Sequence, residues 1–371
     1  MKTKAAVVYE PGKPIEIEEL TLDKPQEGEV LIRYTHAGLC HSDVHIAHGD
    51  LEARLPMVLG HEGAGIIEEV GPGVTRVKAG DHVVCSFIPN CGTCRYCANG
   101  QQSICDMGAT ILEGYLPGER FPITGPAGQY GALCMLGTFS QYGVIHQNSC
   151  VKVDDDLPLE KAVLVGCGVP TGWGSAVNTA EVKAGETVVV MGVGGIGINA
   201  VQGAALAGAK NVIAIDPLPN KREKAMELGA THAFESAELA METITNLTRG
   251  QMADSAILTP GLLTTEIVAD GFNAVGKGGK VVLTGLNKLD ETNIQLPGSV
   301  LTLYRKELRG SVFGDCNPTV DIPRILGLYQ SGDLKLDEIL TRTYTLEQVN
   351  EGYDDLLNGK NVRGVVIHDH S

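Results

Sequence analysis

The sequence predicts a two-domain α/β protein, in which a β-rich part is joined to a doubly wound parallel sheet. Its 371 residues, of which 43% are hydrophobic, are enough to form more than one core. Short apolar runs separated by Gly and Pro fill the first third of the chain, as in β-rich domains. In the middle third, strand-like and helix-like segments alternate, which is the pattern of a parallel sheet covered by helices.

The strands predicted in the first third are short and are bounded by turn residues such as Pro11-Gly12. They cover Lys4–Tyr9, Ile15–Leu20, Glu29–Tyr34, Gly65–Val70 and His82–Ser86. The segment from Met107 to Gly137 is rich in Gly and Pro and has weak periodicity, so we expect a loop there, beside the more dispersed of the two groups of metal ligands described below.

The alternating elements of the middle third begin with an apolar strand at Thr187–Met191 and a helix at Gly195–Leu206. A second strand, Asn211–Asp216, precedes a charged helix at Asn220–Leu228. Later strands are predicted at Ala253–Leu258, Gly279–Thr284 and Glu307–Phe313. From Asp321 onward the chain returns to mixed helix and strand.

The charge of the chain limits its partners. Twenty-nine basic and 45 acidic residues give a net charge of −16, which disfavours nucleic acid and anionic membrane as partners. No apolar run approaches a membrane span, and the N-terminus lacks a signal-peptide pattern. Ten cysteines in such a chain indicate thiols or metal ligands rather than disulfides. We therefore expect a cytoplasmic location.

A glycine-rich loop follows the first strand of the middle third and opens a helix. It has the spacing G-x-G-x-x-G, and its candidate cofactor-binding residues are Gly192, Gly194, Gly195, Ile196 and Gly197. Such glycines allow a tight turn, a close approach to a pyrophosphate and tight helix packing, and the helix N-terminus favours phosphate.

An acid, Asp216, ends the second strand of the middle third, where a carboxylate binds ribose hydroxyls and repels a 2′-phosphate. The arrangement predicts NAD rather than NADP, with Lys221 flanking the adenosine ribose. The alternative is a glycine-rich turn beside a solvated Asp.

Two groups of candidate metal ligands differ in composition. The first, which we call the cysteine quartet, has the spacing C-x2-C-x2-C-x7-C and contains Cys91, Cys94, Cys97 and Cys105. Four thiolates are typical of a closed structural zinc site, and the alternative is a set of unligated thiols that would oxidise readily. The second group, which we call the dispersed set, consists of Cys40, His61, Glu62 and Cys167. Its mixed composition is typical of a catalytic zinc site, although a buried Cys is often only a small hydrophobe.

These motifs carry a resemblance that extends over essentially the whole chain. The sequence resembles the zinc-dependent, medium-chain alcohol dehydrogenases, which have these motifs in the same order. The motifs are GHEGAG at 60–65, the cysteine quartet, GCG at 166–168 and GVGGIG at 192–197. The resemblance implies a GroES-like, β-rich catalytic domain at 1–168 with a return at 313–371, and a Rossmann NAD-binding domain at 169–312. It also implies two zinc ions per chain, NAD, a small alcohol or aldehyde substrate, and a homo-oligomer.

The resemblance assigns roles to single residues of the dispersed set and its neighbours. Cys40, His61 and Cys167 would hold the catalytic zinc. Glu62 would be an alternate ligand or lie just outside the ligands, and Asp43 would orient the histidine. His41 and Arg363 would meet the cofactor pyrophosphate.

The chemistry predicted for this site is alcohol oxidation. Zinc lowers the pKa of an alcohol that binds at its open position, and the carbinol hydrogen leaves as hydride to the nicotinamide. Ser42 is then the candidate group that takes the proton and passes it to the cofactor ribose, with His45 near solvent as the terminal base. The alternative for His45 is an ordinary histidine on a helix surface.

The substrate pocket follows only from alignment to the family, and its candidate residues are apolar. They are Leu51, Phe87, Ile104, Met135, Leu136 and Leu286. Such a lining favours a hydrophobic primary alcohol or its aldehyde. The thiol-dependent formaldehyde dehydrogenases are the alternative. They have an arginine four residues after the last cysteine of the quartet, where this chain has Ala109, and Arg120 is the candidate substitute.

A finer resemblance is to the actinobacterial nicotinoprotein alcohol dehydrogenases. It is carried by LGTFSQY at 136–142, KVDDDLP at 152–158, VPTGWGSA at 169–176 and AIDP at 214–217. It implies a tightly bound NAD that is reoxidised by an external acceptor such as N,N-dimethyl-4-nitrosoaniline, whereas the residues alone predict exchangeable NAD. Two non-catalytic classes are alternatives: a nucleotide-binding relative without zinc chemistry, and a structural zinc module that uses only the quartet.

Overall fold

The computed structural model describes residues 1–288, 291–292 and 294–370, and its β-strands are short and numerous. The strands are β1 Lys2–Val8, β2 Glu16–Leu22, β3 Glu29–Gly38, β4 Met57–Val58, β5 Glu62–Val70, β6 His82–Cys85, β7 Ile123–Gly125, β8 Gly128–Ala132, β9 Tyr142–His146, β10 Cys150–Lys152, β11 Thr187–Met191, β12 Asn211–Ile215, β13 His232–Phe234, β14 Ala253–Leu258, β15 Val275–Leu283, β16 Glu307–Gly310, β17 Leu340–Tyr344 and β18 Arg363–Ile367.

The helices lie both between strands of the middle third and near the two metal-ligand groups. They are α1 His41–His48, α2 Arg95–Ala98, α3 Leu159–Ala162, α4 Gly168–Gly174, α5 Gly197–Leu206, α6 Pro219–Glu227, α7 Ala237–Leu247, α8 Thr265–Ala274, α9 Gly298–Leu303, α10 Pro318–Gln330 and α11 Val349–Leu357. Among the described residues, none of the helices combines the length and the apolar character needed to cross a membrane.

The chain divides into two compact units. One contains 1–167 and 317–371, and the other contains 168–316. These divisions fall within one and four residues of the boundaries expected from the sequence. The predicted α/β class, with a β-rich part and a parallel-sheet part, is confirmed.

The first unit contains a closed barrel and a mixed sheet. The barrel has the strand order β1-β2-β7-β8-β4, and the sheet has the order β10-β6-β5-β3-β18-β17, with β9 also paired to β3. Strand β18, at the end of the chain, pairs antiparallel with β3, so that Val365 lies opposite Gly38. This pairing brings the C-terminal return against the strand that leads into the dispersed set.

The predicted loop at 107–137 is wrong in part. The segment contributes two strands to the barrel, since β7 pairs with both β2 and β8. Periodicity failed there because the strands are only three and five residues long, too short to show alternation. One residue of the segment, Cys134, does lie close enough to His61 and Asp43 to feel their charges.

The second unit is a six-stranded parallel sheet with the order β13-β12-β11-β14-β15-β16. The strands predicted at 187–191 and 253–258 have the bounds that were expected. Strand β11 is fully buried, as an apolar run in a parallel sheet with two covered faces should be. The adjacent β12 pairs with it in register, with Met191 opposite Ile215. The glycine-rich loop and Asp216 therefore leave the same edge of the sheet.

Candidate active site and cofactor-binding loop

The dispersed set comes together in the first unit although its members are far apart in sequence. One ligand atom from each of Cys40, His61, Glu62 and Cys167 lies within 4.8 Å of every other, and all four residues are buried. Cys40 caps the N-terminus of α1, and Glu62 begins β5 opposite Gly38 of β3. A side chain at Gly38 would come within 2.1 Å of the Glu62 carboxylate, so only glycine leaves room for the acid here.

A carboxylate behind His61 fixes the orientation of its ring. Asp43 Oδ1 lies 3.2 Å from His61 Nδ1 and also accepts the backbone N–H of Gly60 at 3.0 Å. Asp43 is fully buried. Since Nδ1 faces the carboxylate, Nε2 is the ring nitrogen left for a metal, as in other carboxylate–histidine–zinc arrangements.

The thiols and the carboxyl group of the dispersed set influence one another's ionisation. The pKa of Cys40 is held well below its usual value, first by a hydrogen bond from Cys167 and, against the effect of burial, by the charge of His61. Burial raises the pKa of Glu62 to about 7, although Arg363 acts in the opposite direction. The site thus contains thiolate, imidazole and carboxyl groups, whose pKa values depend on each other.

Arg363 lies beside the dispersed set and forms a buried ion pair with Glu62. Glu62 Oε1 is buried and has no hydrogen-bond partner among the described residues. A buried carboxylate oxygen without a partner is costly, and a cation would satisfy it. Two sulfur donors, an imidazole and this oxygen therefore fit zinc. Arg363 was expected to meet the pyrophosphate, and that role stays a prediction.

The residues of the predicted proton relay lie on or next to α1. The Ser42 hydroxyl is 3.7 Å from Cys40 Sγ, and the His41 and His45 ring centroids are 6.4 Å apart. His45 was expected near solvent, which is wrong: it is 7% exposed. Its Nδ1 lies 3.0 Å from Asp50 Oδ2, and the Asp50 side chain is 28% exposed. Asp50, which sequence reasoning missed, is thus more exposed than the histidine that it contacts.

The cysteine quartet forms a second compact group, around α2. Its four sulfur atoms lie within 4.8 Å of one another. Cys91 Sγ is 3.9 Å from Cys97 Sγ, and Cys94 Sγ is 4.0 Å from Cys105 Sγ. A tetrahedral zinc with bonds of about 2.3 Å requires sulfur atoms about 3.8 Å apart, so the quartet already has nearly the right dimensions.

Backbone N–H groups favour thiolates within the quartet. Although burial opposes ionisation, hydrogen bonds from the N–H groups of Thr93 and Cys94 lower the pKa of Cys91 to about 6. The Cys97 N–H donates to Cys94 Sγ at 3.4 Å and is the main cause of a lowered pKa there. The local chain fold therefore prepares two of the four ligands for a cation.

The remaining four cysteines belong to neither group. They are Cys85, Cys134, Cys150 and Cys316, and all four are buried. Burial raises the pKa of Cys134 and that of Cys150 to about 12. Burial likewise raises the pKa of Cys85 well above its usual value, so these three thiols stay protonated near neutral pH.

The glycine-rich loop of the second unit has the tight geometry expected of it. Gly192 has φ +84°, and a side chain there would come within 2.9 Å of Pro260; one at Gly197 would come within 1.9 Å of the Gly192 carbonyl oxygen. Gly195 accepts a hydrogen bond from Asn199 at 2.9 Å, and Ile196 immediately precedes α5.

Asp216 is buried beneath this loop. Its Oδ2 accepts the Val193 N–H and its Oδ1 accepts the Leu218 N–H, both at 2.9 Å. The Lys221 ammonium is 3.8 Å from the point where a side chain at Gly194 would begin. Asp216 therefore shapes the loop in addition to the ribose contact predicted for it.

The six candidate pocket residues do not share one environment. Leu51 and Phe87 border the core around α1, and the Phe87 ring lies edge-on to His61 at 5.8 Å. Met135 and Leu136 are buried in two other core clusters. Ile104 is 44% exposed and Leu286, in the second unit, is 46% exposed. The pocket as a whole stays a prediction.

Comparison with known proteins agrees with this geometry. Residues 26–155 match the alcohol dehydrogenase GroES-like domain, and residues 195–331 match the zinc-binding dehydrogenase family. The chain is 62% identical over 368 residues to the NDMA-dependent alcohol dehydrogenase of Amycolatopsis methanolica, covering 99% of each chain.

Two solved structures are similar over the full length of this chain and of their own. An alcohol dehydrogenase zinc-binding domain protein from Burkholderia ambifaria has a TM-score of 0.93 at 33% identity. Benzyl alcohol dehydrogenase from Acinetobacter calcoaceticus has a TM-score of 0.92 at 30% identity.

Proposed function

The chain belongs to the zinc-dependent medium-chain alcohol dehydrogenases, and we propose that it oxidises a hydrophobic primary alcohol with an NAD molecule that it keeps bound. The observation that carries the chemistry is the dispersed set, whose four buried ligand atoms lie within 4.8 Å of one another. Asp43, on His61 Nδ1, supports the imidazole ligand from behind. We propose that Cys40, His61 and Cys167 hold a catalytic zinc and that the cysteine quartet holds a second, structural zinc.

Zinc in the dispersed set would draw electron density from the alcohol oxygen and so favour loss of its proton near neutral pH. The residues of the chain then have three tasks. Asp43 keeps the imidazole oriented, and burial of the set excludes water from the reacting atoms. Ser42, next to Cys40, receives the proton, and His45, one helical turn further along α1 and paired with Asp50 beyond the end of the helix, carries it to solvent. NAD, held by the glycine-rich loop and Asp216, would supply the acceptor for the carbinol hydride.

Retention of NAD is the part of the proposal that departs from an ordinary dehydrogenase. Its support is the 62% identity with a relative named as NDMA-dependent, together with the likeness at 136–142, 152–158 and 169–176. Retention requires that NADH leaves more slowly than the enzyme turns over. The bound NADH must then be reoxidised in place by a second small molecule.

The thiol-dependent formaldehyde dehydrogenase activity is less well supported. Arg120, the candidate for binding the carboxylate of a thiol adduct, is already engaged by two acids. Its guanidinium lies 3.0 Å from Glu29 and 3.0 Å from Asp23, and it also donates to the Lys24 carbonyl oxygen. Such a side chain has little capacity left for a substrate carboxylate.

The test uses gel-filtered protein with no added NAD. Benzyl alcohol should produce the ultraviolet absorbance of NADH, and N,N-dimethyl-4-nitrosoaniline should then remove it with continued turnover. If gel filtration strips the cofactor and activity returns only with added NAD, the retention proposal fails and an ordinary dehydrogenase remains. Formaldehyde with glutathione is the parallel substrate, and faster turnover with it would favour the thiol-dependent alternative.

Metal content tests the site assignment in the same preparation. We expect two zinc ions per chain. Cys40→Ser should leave one, abolish activity and leave the circular dichroism unchanged, because the quartet rather than the dispersed set stabilises a loop. Cys150→Ser, which changes a buried thiol outside both groups, should keep both ions. Full activity in the Cys40 variant would exclude Cys40 from the site.

A further inference from the structure

The second carboxylate oxygen of Asp43, Oδ2, does not receive a hydrogen bond from the dispersed set. Asp43 Oδ1 is bound by His61 and by the Gly60 N–H. Asp43 Oδ2 is buried and has no hydrogen-bond partner of strict geometry among the described residues. An ionised carboxylate oxygen left without a donor in the interior is costly. A donor is therefore expected beside Oδ2.

Tyr353, on α11, has a buried hydroxyl group that requires a hydrogen-bond acceptor. The residue is 6% exposed, and its hydroxyl oxygen is also buried without a strict partner among the described residues. The two groups lie close enough to interact: burial first, and then the charge of the Asp43 carboxylate, raise the pKa of the Tyr353 hydroxyl well above its usual value. The hydroxyl therefore stays protonated, and it can act toward the carboxylate only as a donor.

Packing holds the Tyr353 ring in this place. The ring lies edge-on to Phe139, with centroids 6.1 Å apart, and it belongs to the same core cluster as Val44, the neighbour of Asp43. Helix α11 approaches the start of α1 closely, since a side chain at Gly352 would come within 2.6 Å of Leu39. The approach of Tyr353 to Asp43 is thus a consequence of helix packing rather than of a free surface side chain.

From this geometry we propose that Tyr353 donates a hydrogen bond to Asp43 Oδ2 and is a positioning residue for His61. The bond gives the carboxylate a donor on each oxygen and fixes its orientation. Asp43 Oδ1 is then held in place to accept Nδ1–H of His61, and Nε2 is directed to the dispersed set. Tyr353 touches neither the reacting atoms nor the ligands in this scheme, and it acts through Asp43.

The proposal rests on the proposed function in one respect, that the dispersed set holds zinc. The first experiment does not need that premise. The full chain as purified is denatured with urea in the parent, Tyr353→Phe, Asp43→Asn and the double variant. If the bond exists, the midpoint shift of the double variant should be clearly smaller than the sum of the two single shifts. Shifts that simply add would overturn the hydrogen bond.

The second experiment measures what the bond does for the metal. Zinc is counted after dialysis against graded concentrations of a chelator. In Tyr353→Phe we expect the ion of the dispersed set to be lost at about tenfold lower chelator, the lower end of the range for groups that support a metal's histidine. The ion of the cysteine quartet should be lost at the parent concentration and serves as an internal reference.

Tyr344→Phe is the matched control. Tyr344 belongs to the same core cluster, is buried, and has its hydroxyl 3.0 Å from Asp355 rather than near Asp43. It should lose stability without changing zinc retention. If Tyr353→Phe releases zinc no sooner than Tyr344→Phe, the positioning role is wrong. A parent that holds zinc only at the quartet would count against the proposed function alone, and the urea experiment would still decide the bond.

Discussion

Arg363 and Glu62 form an ion pair in the interior of the first unit although 301 residues separate them. Glu62 is fully buried and Arg363 is 3% exposed. The pair joins the start of β5 to the start of β18, so that the C-terminal return is tied directly to a member of the dispersed set.

Loss of this ion pair should lower the free energy of unfolding substantially. Arg363→Gln leaves a buried carboxyl group without its cation, and we expect about 3–5 kcal/mol less stability. Arg342→Gln is the control, since the Arg342 side chain is 48% exposed and its partner Asp355 retains Lys360 at 3.0 Å; a much smaller loss of stability is expected there. Urea denaturation measures both, and equal losses would mean that burial of the pair is unimportant.

The cysteine quartet should stabilise the first unit through its metal. In Cys97→Ser we expect one zinc fewer per chain and a loss of about 2 kcal/mol, which lowers the melting temperature by about 4–8 °C. Calorimetry and elemental analysis give the two values. Cys150→Ser is the packing control and should keep both ions. An unchanged zinc count in Cys97→Ser would show that the quartet does not bind metal.

Asp216 should decide which dinucleotide binds. In Asp216→Asn the negative charge that repels a 2′-phosphate is lost, and NAD affinity should fall about 10-fold as a charge-assisted hydrogen bond weakens. The ratio of NADP to NAD affinity should rise, measured by competitive reloading of cofactor-stripped protein. Asp254→Asn is the matched control, because Asp254, in β14, accepts the Thr187 N–H at 2.7 Å at the start of β11, the end of that strand opposite the glycine-rich loop. An unchanged ratio would place the discriminating group elsewhere.

His45 should matter most at low pH if it carries the proton. His45→Gln should slow alcohol oxidation about 10-fold below neutral pH, where hydroxide is too scarce to replace the base, and less above it. His48→Gln, at the exposed end of the same helix, should leave the pH–rate profile unchanged. Identical profiles for the His45 variant and the parent would exclude a relay through this residue.

His368 should make the protein sensitive to acid. Burial lowers its pKa to about 4; its Nε2 donates to the Thr138 carbonyl oxygen at 2.9 Å, and its buried Nδ1 has no partner among the described residues. In the unfolded chain this histidine has a pKa near 6.5. Between pH 6.5 and 4 the unfolded chain therefore binds more protons than the folded chain. Stability from this residue is complete above pH 6.5 and is lost as the pH falls through 4, by about 3 kcal/mol.

His368→Gln keeps an N–H donor and should remove that part of the acid sensitivity. Urea midpoints measured between pH 4 and 6.5 should fall less steeply in this variant than in the parent. His232→Gln, at a half-exposed histidine bonded to Thr231, should retain the parent slope. Parallel slopes for the His368 variant and the parent would show that another group is responsible.

The sequence by itself determined those features that depend on neighbouring residues. The strand at 187–191 and the glycine-rich loop after it are local patterns, and the structure reproduces both. The quartet is likewise local, because its four cysteines fall within fifteen residues and short chain segments can bring them together. Sequence order and composition were also sufficient for the two-part α/β architecture.

Only the tertiary structure decided which distant residues meet. The short strands at 123–132 became recognisable through pairing with β2, and Arg363 reached Glu62 because β18 pairs with β3. Asp50 and Tyr353 carry no motif, and their importance depends on which atom each one faces once α1 and α11 are packed. Such contacts depend on how many side chains are buried together in the folded protein. They therefore cannot be predicted from a local sequence pattern.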